Sequence, residues 1–576
     1  MKAIKTVPRK ERLLYLFLVG IIILPTVSVF LYFRIEKYVE SDQYDVLSFC
    51  ESIPEPVFSV PEGIYEQPFE LEITAPSDYE IYFTTDGSMP TTRSHRYKKR
   101  INVNPNKNLN RNILHISTSL LWRPPYGKQP HSTVIRARCF KAGAGYGKTK
   151  NIIYSAPDIK QHQGFQVVHI LIEPDSLFSQ ERGIYVLGEK YYSKRAITEI
   201  EQQHALRWFE YPANYHQRGQ QWSRPAEFIL KDASGKTLHE QSVRLRIHGL
   251  STRALPIKTL RVTADSNRGD SVISYRFFDD LPYENFKTIL LRSSGNDQVR
   301  TMFRDAMVQQ MAKGLGLSFQ EYAPAVLYIN GNYWGIHNIR ERLCEYYLAN
   351  KYGAAMEKIN MLEYNGAVGK FELQYGDDQS LQSFNELINY MQKNSTADEN
   401  VYQYVSSQID IDNFIDYVIV QTFFANADWG DNNMRLYKIE EQTYEMKQKN
   451  IEACKWRWLL ADFDLSMFSE PANMFDHLHQ NGHISITTLF FGLLKNDEFK
   501  EKFLNRYEYI IRNLLTTSYM LQHVEDFEER YQHEMARHIA RWRYPGLFHI
   551  WRRNVDEMKT FMRERPEIVL KQLEGL

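Results

Sequence analysis

Cysteine is nearly absent: four occur in 576 residues, at 50, 139, 344 and 454, and none forms a C-x-x-C pair. That scarcity supports neither a cysteine zinc module nor a disulfide framework, and leaves open only a pairing of Cys50 with Cys139 if the chain is exported. Net charge is absent as well, with 70 Lys and Arg against 70 Asp and Glu. A neutral chain gives no electrostatic reason to expect nucleic acid as a partner. There is no internal repeat, no low-complexity tract and no G-x-G-x-x-G loop. A repeat architecture and a glycine-rich nucleotide loop are therefore both excluded. Long runs that are both uncharged and apolar are missing too, with one exception at the N-terminus.

That exception is "LLYLFLVGIIILPTVSVFLYF", 13–33, 21 residues without a charge. Such a length spans a bilayer as a helix, and Pro25 is tolerable there. Lys2, Lys5, Arg9, Lys10 and Arg12 precede it, and Glu36, Glu40, Asp42 and Asp45 follow. The positive-inside rule then predicts a signal anchor in a single-pass membrane protein. Residues 1–12 would be a cytoplasmic tail and the bulk extracytoplasmic. A proline-containing linker, 34–54, leads onward. At 576 residues the chain is too long for one core, so at least two domains are expected beyond it.

From 55 to 157 short β runs ("FELEIT", "YEIYFTT", "STVIRARCF", "NIIYS") are separated by turn signals, notably Asp86-Gly87. The pattern reads as an all-β, Ig-like sandwich. "EIYFTTDGSMPTTRSHRY", 80–97, resembles the chitobiase/β-hexosaminidase C-terminal-type β-sandwich. In that motif Asp86-Gly87 makes the tight turn and Pro90 ends it. The resemblance implies an accessory module beside a catalytic domain, with glycan as a possible partner and no chemistry of its own.

Residues 158–576 mix strands and helices and then become helical. "VRLRIHG", 243–249, alternates Val243, Leu245 and Ile247 with Arg244, Arg246 and His248, a half-buried strand. "AVLYINGNYWGIHN" reads as a hairpin turned at Asn330-Gly331. "NFIDYVIVQTFFAN" has a helical apolar face, capped near Asp410 or Asp412, and stops at "NADWGDNN". "MRLYK" runs out as a strand and "KWRWLLADFD" runs back. An antiparallel return would bring Asp462 beside Asn433, so that Asp428, Asn433 and Asp462 share one small volume. Oxygen donors of this kind suit Mg²⁺ or Mn²⁺ held together with waters and a substrate phosphate.

The order D-x-x-x-x-N, hairpin, Asp-Phe-x is similar to the protein-kinase layout, in which the first Asp takes the hydroxyl proton and the Asn and second Asp hold metal. The His-Arg before the first Asp is replaced by Asn426-Ala427, and the Gly of Asp-Phe-Gly by Asp464. "ANYHQRGQQWSRPAEF", "VRLRIHGLSTRALPIKTLRV", "LLRSSGND", "TMFRDAM", "YINGNYWGIHNIRERL", "NADWGDNN", "WRWLLADFDLSMF" and the late "HIARW" together resemble the CotH family of spore-coat-protein-H-type atypical kinases. The resemblance runs from about 165 to the C-terminus. It implies an α+β kinase-like domain with a helical C-terminal part, ATP as phosphoryl donor and Mg²⁺ (or Mn²⁺) as cofactor. Carried over, the catalytic base falls on Asp428 and the metal ligands on Asn433, Asp462 and Asp464. Lys258 would stand near phosphates, with Arg246, Arg253 and Glu341 around it. The acceptor is a protein or cell-surface group. The alternative is a glycan-binding or cell-surface scaffold whose kinase-like domain has lost or changed its chemistry.

Overall fold

The computed structural model describes residues 50, 52–107, 111–193, 198, 207–366 and 368–576. It corrects the expectation of a single-pass membrane protein. Among the described residues no helix is long and apolar enough to cross a membrane. The run 13–33, its flanking tail 1–12 and most of the linker 34–54 lie outside the described residues.

The chain divides into two compact units. The first takes the described residues up to Pro61, with Phe69–Val103 and Ile135–Ile152; the second takes Glu62–Pro68, Asn104–Val134 and Ile153–Leu576. The chain thus passes between units several times, and no single cut near 157 separates them.

The first unit is β-rich. Glu80–Thr84 pairs antiparallel with His95–Arg96 and with Arg136–Phe140, Phe69–Leu71 with Ile101–Val103, and Val57–Phe58 with Ile73–Thr74. The Thr-Asp-Gly-Ser turn is held locally. Asp86 Oδ1 accepts from the Ser88 backbone at 3.0 Å, Gly87 is left-handed (φ 90°), and Arg136 donates to the Gly87 carbonyl at 2.8 Å. These groups serve the turn, in keeping with a structural motif.

The second unit is built on a nine-stranded sheet. Its order is Tyr322–Ala323, Asn338–Glu341, Thr288–Arg292, Leu260–Ala264, Thr237–Ile247, Arg224–Lys231, Gln166–Leu171, Ala325–Ile329, Asn332–Ile336. Only Gln166–Leu171 and Ala325–Ile329 run parallel. Val243, Leu245, Val262, Ile289, Leu291 and Ile339 fill a core on one face. A four-stranded antiparallel sheet follows, Lys370–Tyr375, Ile359–Asn365, Arg435–Ile439 and Arg457–Leu459. The larger core gathers around the almost wholly buried helix Ile411–Phe423 and the long helices Thr517–Trp542 and Phe548–Leu573. The first of these is capped by Asp410, which accepts from the Asn413 N–H.

One ion pair shows why the early segment belongs to the second unit. Lys231 is buried, and its ammonium donates to Glu62 Oε2 at 2.6 Å, to the Gly235 carbonyl and to Thr237 Oγ1. Burial pushes the lysine's pKa down, while Lys231 and Thr237 hold the Glu62 carboxyl low in spite of its own burial. Glu62→Gln leaves the ammonium without its counter-charge and should destabilise the unit by about 3 kcal/mol, the low end for breaking a buried pair. A thermal melt with an unchanged midpoint would show the pair to be dispensable.

Candidate functional site

The helix Ile411–Phe423 ends in a loop that returns through Asn432–Asn433 into the strand Arg435–Ile439. That strand pairs antiparallel with Arg457–Leu459, placing Arg435 opposite Leu459, so the chain arrives at Asp462 beside the start of the hairpin. Ala425 (φ 48°), Asn433 (φ 54°) and Asp462 (φ 56°) are all left-handed. Such strain in non-glycine residues concentrates at functional sites and persists only where the surroundings enforce it. Here they do. Ala427 N–H donates to the Leu465 carbonyl at 3.2 Å, and Met467 N–H to the Phe424 carbonyl at 2.9 Å. Asn426 bridges the two loops: its Nδ2 donates to the Asp462 carbonyl at 3.2 Å, while its Oδ1 accepts from the Asp428 N–H at 3.4 Å. Asn426 occupies the place where the kinase pattern has His-Arg, and its bridging role was not evident from the sequence.

Asp428 Oδ2 accepts from Asn433 Nδ2 at 2.7 Å and from Asn432 Nδ2 at 3.1 Å. Its pKa is pushed up to about 6, first by burial and then by the charge of Asp462. Asp462 Oδ1 accepts from Arg292 at 2.7 Å. Arg292 also lies 3.5 Å from Asp305 and 3.8 Å from Asp464. Asp464 is buried, and its oxygens accept from the backbone N–H (2.7 Å) and side-chain amide (3.2 Å) of Asn296. Burial, reinforced by Asp462, raises its pKa well above the usual carboxylate range. A Cβ on Gly295 would sit 2.0 Å from Asp464 Oδ2, so only glycine fits beneath it. Arg292, Asn296 and Asp305 escaped the reading of the sequence. For Arg292 and Asn296 the signal was an arginine and a polar knot closing an otherwise apolar strand; Asp305 lies apart from them on the helix Arg304–Met311.

A divalent cation fits this donor chemistry. Asn433 directs its amide nitrogen to Asp428, which leaves its oxygen as the acceptor atom, and Asp462 brings a carboxylate. The charge of Asp462 helps to raise the pKa of Asp428 and of Asp464, and a cation would relieve that repulsion. Among the described residues no group of three or more His, Cys, Asp or Glu side chains is placed to hold a metal. Asn433 and Asp462 between them offer one amide oxygen and one carboxylate. Mg²⁺ is commonly bound by one or two protein oxygens with waters and phosphates. Asp464, the third expected ligand, is buried and engaged by Asn296.

The remaining expected residues lie elsewhere. Lys258 is buried, its ammonium donating to the carbonyls of Arg253 (2.7 Å) and Leu255 (2.8 Å) over the Tyr215 ring. Burial drives its pKa far below the usual lysine value. Arg253 donates to four backbone carbonyls, those of Gly249, Tyr215, Gln217 and Ile247, and clamps the turn after the strand Thr237–Ile247. Glu341 accepts from the Tyr283 hydroxyl at 2.6 Å and from the Glu321 N–H; burial lifts its pKa to about 7. It stands opposite Ile289, on the apolar face of the sheet, whereas Arg292 and Arg340 take the other face. Arg246 alone of the four lies on the same face as Arg292, half-buried, with one long contact of 3.4 Å to the Gly219 carbonyl.

The fold and the site together define an α+β domain in which a strained Asp/Asn loop meets an Asp-Phe-Asp turn anchored by a sheet arginine. A family model described as CotH kinase protein matches residues 245–569, and a model of the chitobiase/beta-hexosaminidase C-terminal domain matches residues 60–113. The first covers more than half of the chain, which therefore belongs to the CotH kinase protein family, and that membership indicates a kinase-like function. The two domains stand in the order expected from the sequence. No curated protein matches the chain.

Proposed function

We propose that this protein is a phosphotransferase that moves the terminal phosphoryl group of a metal-bound nucleotide, with ATP as donor, to a hydroxyl on a protein or cell-surface acceptor. The observation that carries the reading is the convergence of Asp428, Asn433 and Asp462, joined through the Asn433–Asp428 hydrogen bond and the Asn426 bridge. Asp428 takes the proton of the acceptor hydroxyl as its oxygen bonds to phosphorus. The bond from phosphorus to the departing diphosphate breaks in the same displacement. With a pKa of about 6, Asp428 is mostly ionised at neutral pH and remains basic enough to accept. Asn433 and Asp462 would hold Mg²⁺, which when bound neutralises charge on the phosphates. Arg292, anchored by Asp305, fixes the carboxylate of Asp462 in place.

The test is nucleotide binding by the full-length protein with and without Mg²⁺. Asp462→Ala removes a carboxylate ligand and should abolish the Mg²⁺-dependent part. Asn433→Ala should weaken it less, since a neutral amide oxygen binds a cation less strongly than a carboxylate does. Equal nucleotide affinity in the presence and absence of Mg²⁺, unaltered by Asp462→Ala, would refute the metal-assisted reading and leave a scaffold role in front.

A further inference from the structure

The central strands of the large sheet have two chemically opposite faces. Across them Arg246 stands opposite Arg261, Arg261 opposite Leu290, and Leu290 opposite Arg340; one step along, Arg292 stands opposite Asn338. Residues paired in register share a face, so these arginines project together, away from the core formed by Leu245, Val262, Ile289 and Ile339. Arg342 takes the next alternate position beyond the strand Asn338–Glu341.

Two arginines on this face are neutralised, Arg340 by Asp305 and Arg292 by Asp462 and Asp305. Three are held otherwise. Among the described residues Arg246 makes one long contact, to the Gly219 carbonyl, and Nε of Arg261 is buried without a hydrogen-bond partner. Arg342 is half-buried, close enough to push down the pKa of both Arg246 and Arg261, in each case after burial. His248, just past the end of the strand Thr237–Ile247, is pushed down by burial and then by Arg342 and Arg435. Carboxylates do occur near the rim: Arg435 is paired with Glu363, Arg244 lies 3.9 Å from Asp265, and Glu345 acts weakly on Arg261. They leave the centre of the cluster cationic. Packing like charges in a partly dry site is unfavourable unless an anion completes it.

We infer that Arg246, Arg261 and Arg342 form a cradle for a chain of linked phosphates, taking the part expected of Lys258, which is committed to backbone carbonyls. Arg246 and Arg261 stand on adjacent strands, about 4.8 Å apart, and Arg342 reaches toward both from beyond the intervening strand Thr288–Arg292, so the three present forked donors suited to successive phosphate groups. A single carboxylate would engage only one of them. The row continues on the same face into Arg292 and so to Asp462. A phosphate chain lying along it ends beside Asp428 and Asn433, where transfer is proposed to occur. The assignment of this chain to a nucleotide rests on the phosphoryl-transfer reading; the cradle itself does not.

Calorimetry on the full-length protein with Mg²⁺ tests both, using ATP, adenosine and inorganic tripolyphosphate as ligands. Arg261→Gln and Arg342→Gln should each weaken ATP and tripolyphosphate by at least about tenfold, the loss of one charge-assisted contact, and leave adenosine unchanged. Arg276→Gln, which removes one charge from an exposed loop residue, should change none of the three. If Arg261→Gln does not fold, Arg342→Gln, beyond the strand end, carries the test. Wild-type protein that binds tripolyphosphate but not ATP would uphold the cradle and refute the nucleotide donor. Failure to bind either, or unchanged ATP affinity in the Arg261→Gln/Arg342→Gln double variant, would overturn the cradle.

Discussion

Asp428→Asn is expected to lower phosphoryl transfer by about 10²–10⁴-fold, the usual worth of a positioned base, while metal-dependent nucleotide binding persists. Asn keeps the shape of the side chain and an oxygen for the amides of Asn432 and Asn433, so the loop stays in place. What it loses is proton acceptance. The same substitution should make the metal-free protein more stable at neutral pH. The pKa of Asp428 is raised from 3.8 to about 6, so the folded state favours the protonated carboxyl. That contribution is full below the unfolded pKa and is lost as pH rises through about 6. Above it the protein carries a desolvated charge facing Asp462, which Asn removes. Thermal melts at pH 7.5 should therefore favour the variant, and the difference should vanish below pH 4. The wild-type rate should fall on acidification with a limb near pH 6. Transfer that survives Asp428→Asn would assign the base to another group.

Local features of this chain are legible in its sequence; the direction in which a side chain faces across the assembled sheet is not. The hairpin from Arg435 to Leu459 was legible because alternating apolar residues flank a polar stretch, and its closure brings Asn433 and Asp462 together without further assumptions. The alternation in "VRLRIHG" showed that one face of that strand is polar. It could not show that Arg261, Arg292, Arg340 and Arg342 on three other segments join the same face, because register is a property of the assembled sheet. Glu341 illustrates the cost of one residue: Arg340, beside it, faces the site, and Glu341 faces the apolar core. Lys258 has the right type and neighbourhood, yet the turn that Arg253 clamps folds its ammonium inward. Ion pairs such as Arg292–Asp462, between residues far apart in the chain, leave no periodic trace. The same holds for Glu62 and Lys231, which tie an early segment into the later unit.

Asp305 should be the most sensitive structural position in the site. Buried on the helix Arg304–Met311, it accepts from Arg340 at 2.6 Å, from the Phe463 N–H at 2.9 Å and from Gln309 at 2.8 Å, and it lies 3.5 Å from Arg292. Burial opposes its charge, but Arg340 and Arg292 hold the carboxyl far below the usual range. Asp305→Ala would leave Arg340, itself buried, with only the carbonyls of Gln320 and Glu321. Breaking such a pair by deleting one partner costs about 3–5 kcal/mol, a large share of the 5–15 kcal/mol that stabilises a typical domain. Asp305→Asn keeps an acceptor for the Phe463 N–H and should cost less. The two substitutions separate charge from geometry. Both remove one of the charges that balance Arg292, but only Ala also frees the backbone between Asp462 and Asp464. Urea denaturation should rank wild type above Asn above Ala. Under conditions where all three remain folded, Mg²⁺-dependent nucleotide binding should be weakest in Asp305→Ala, since Asp462 then loses its fixed orientation. An Ala variant less than about 1 kcal/mol below wild type would mean that Arg340 finds compensation elsewhere and that Asp305 does not anchor the loop.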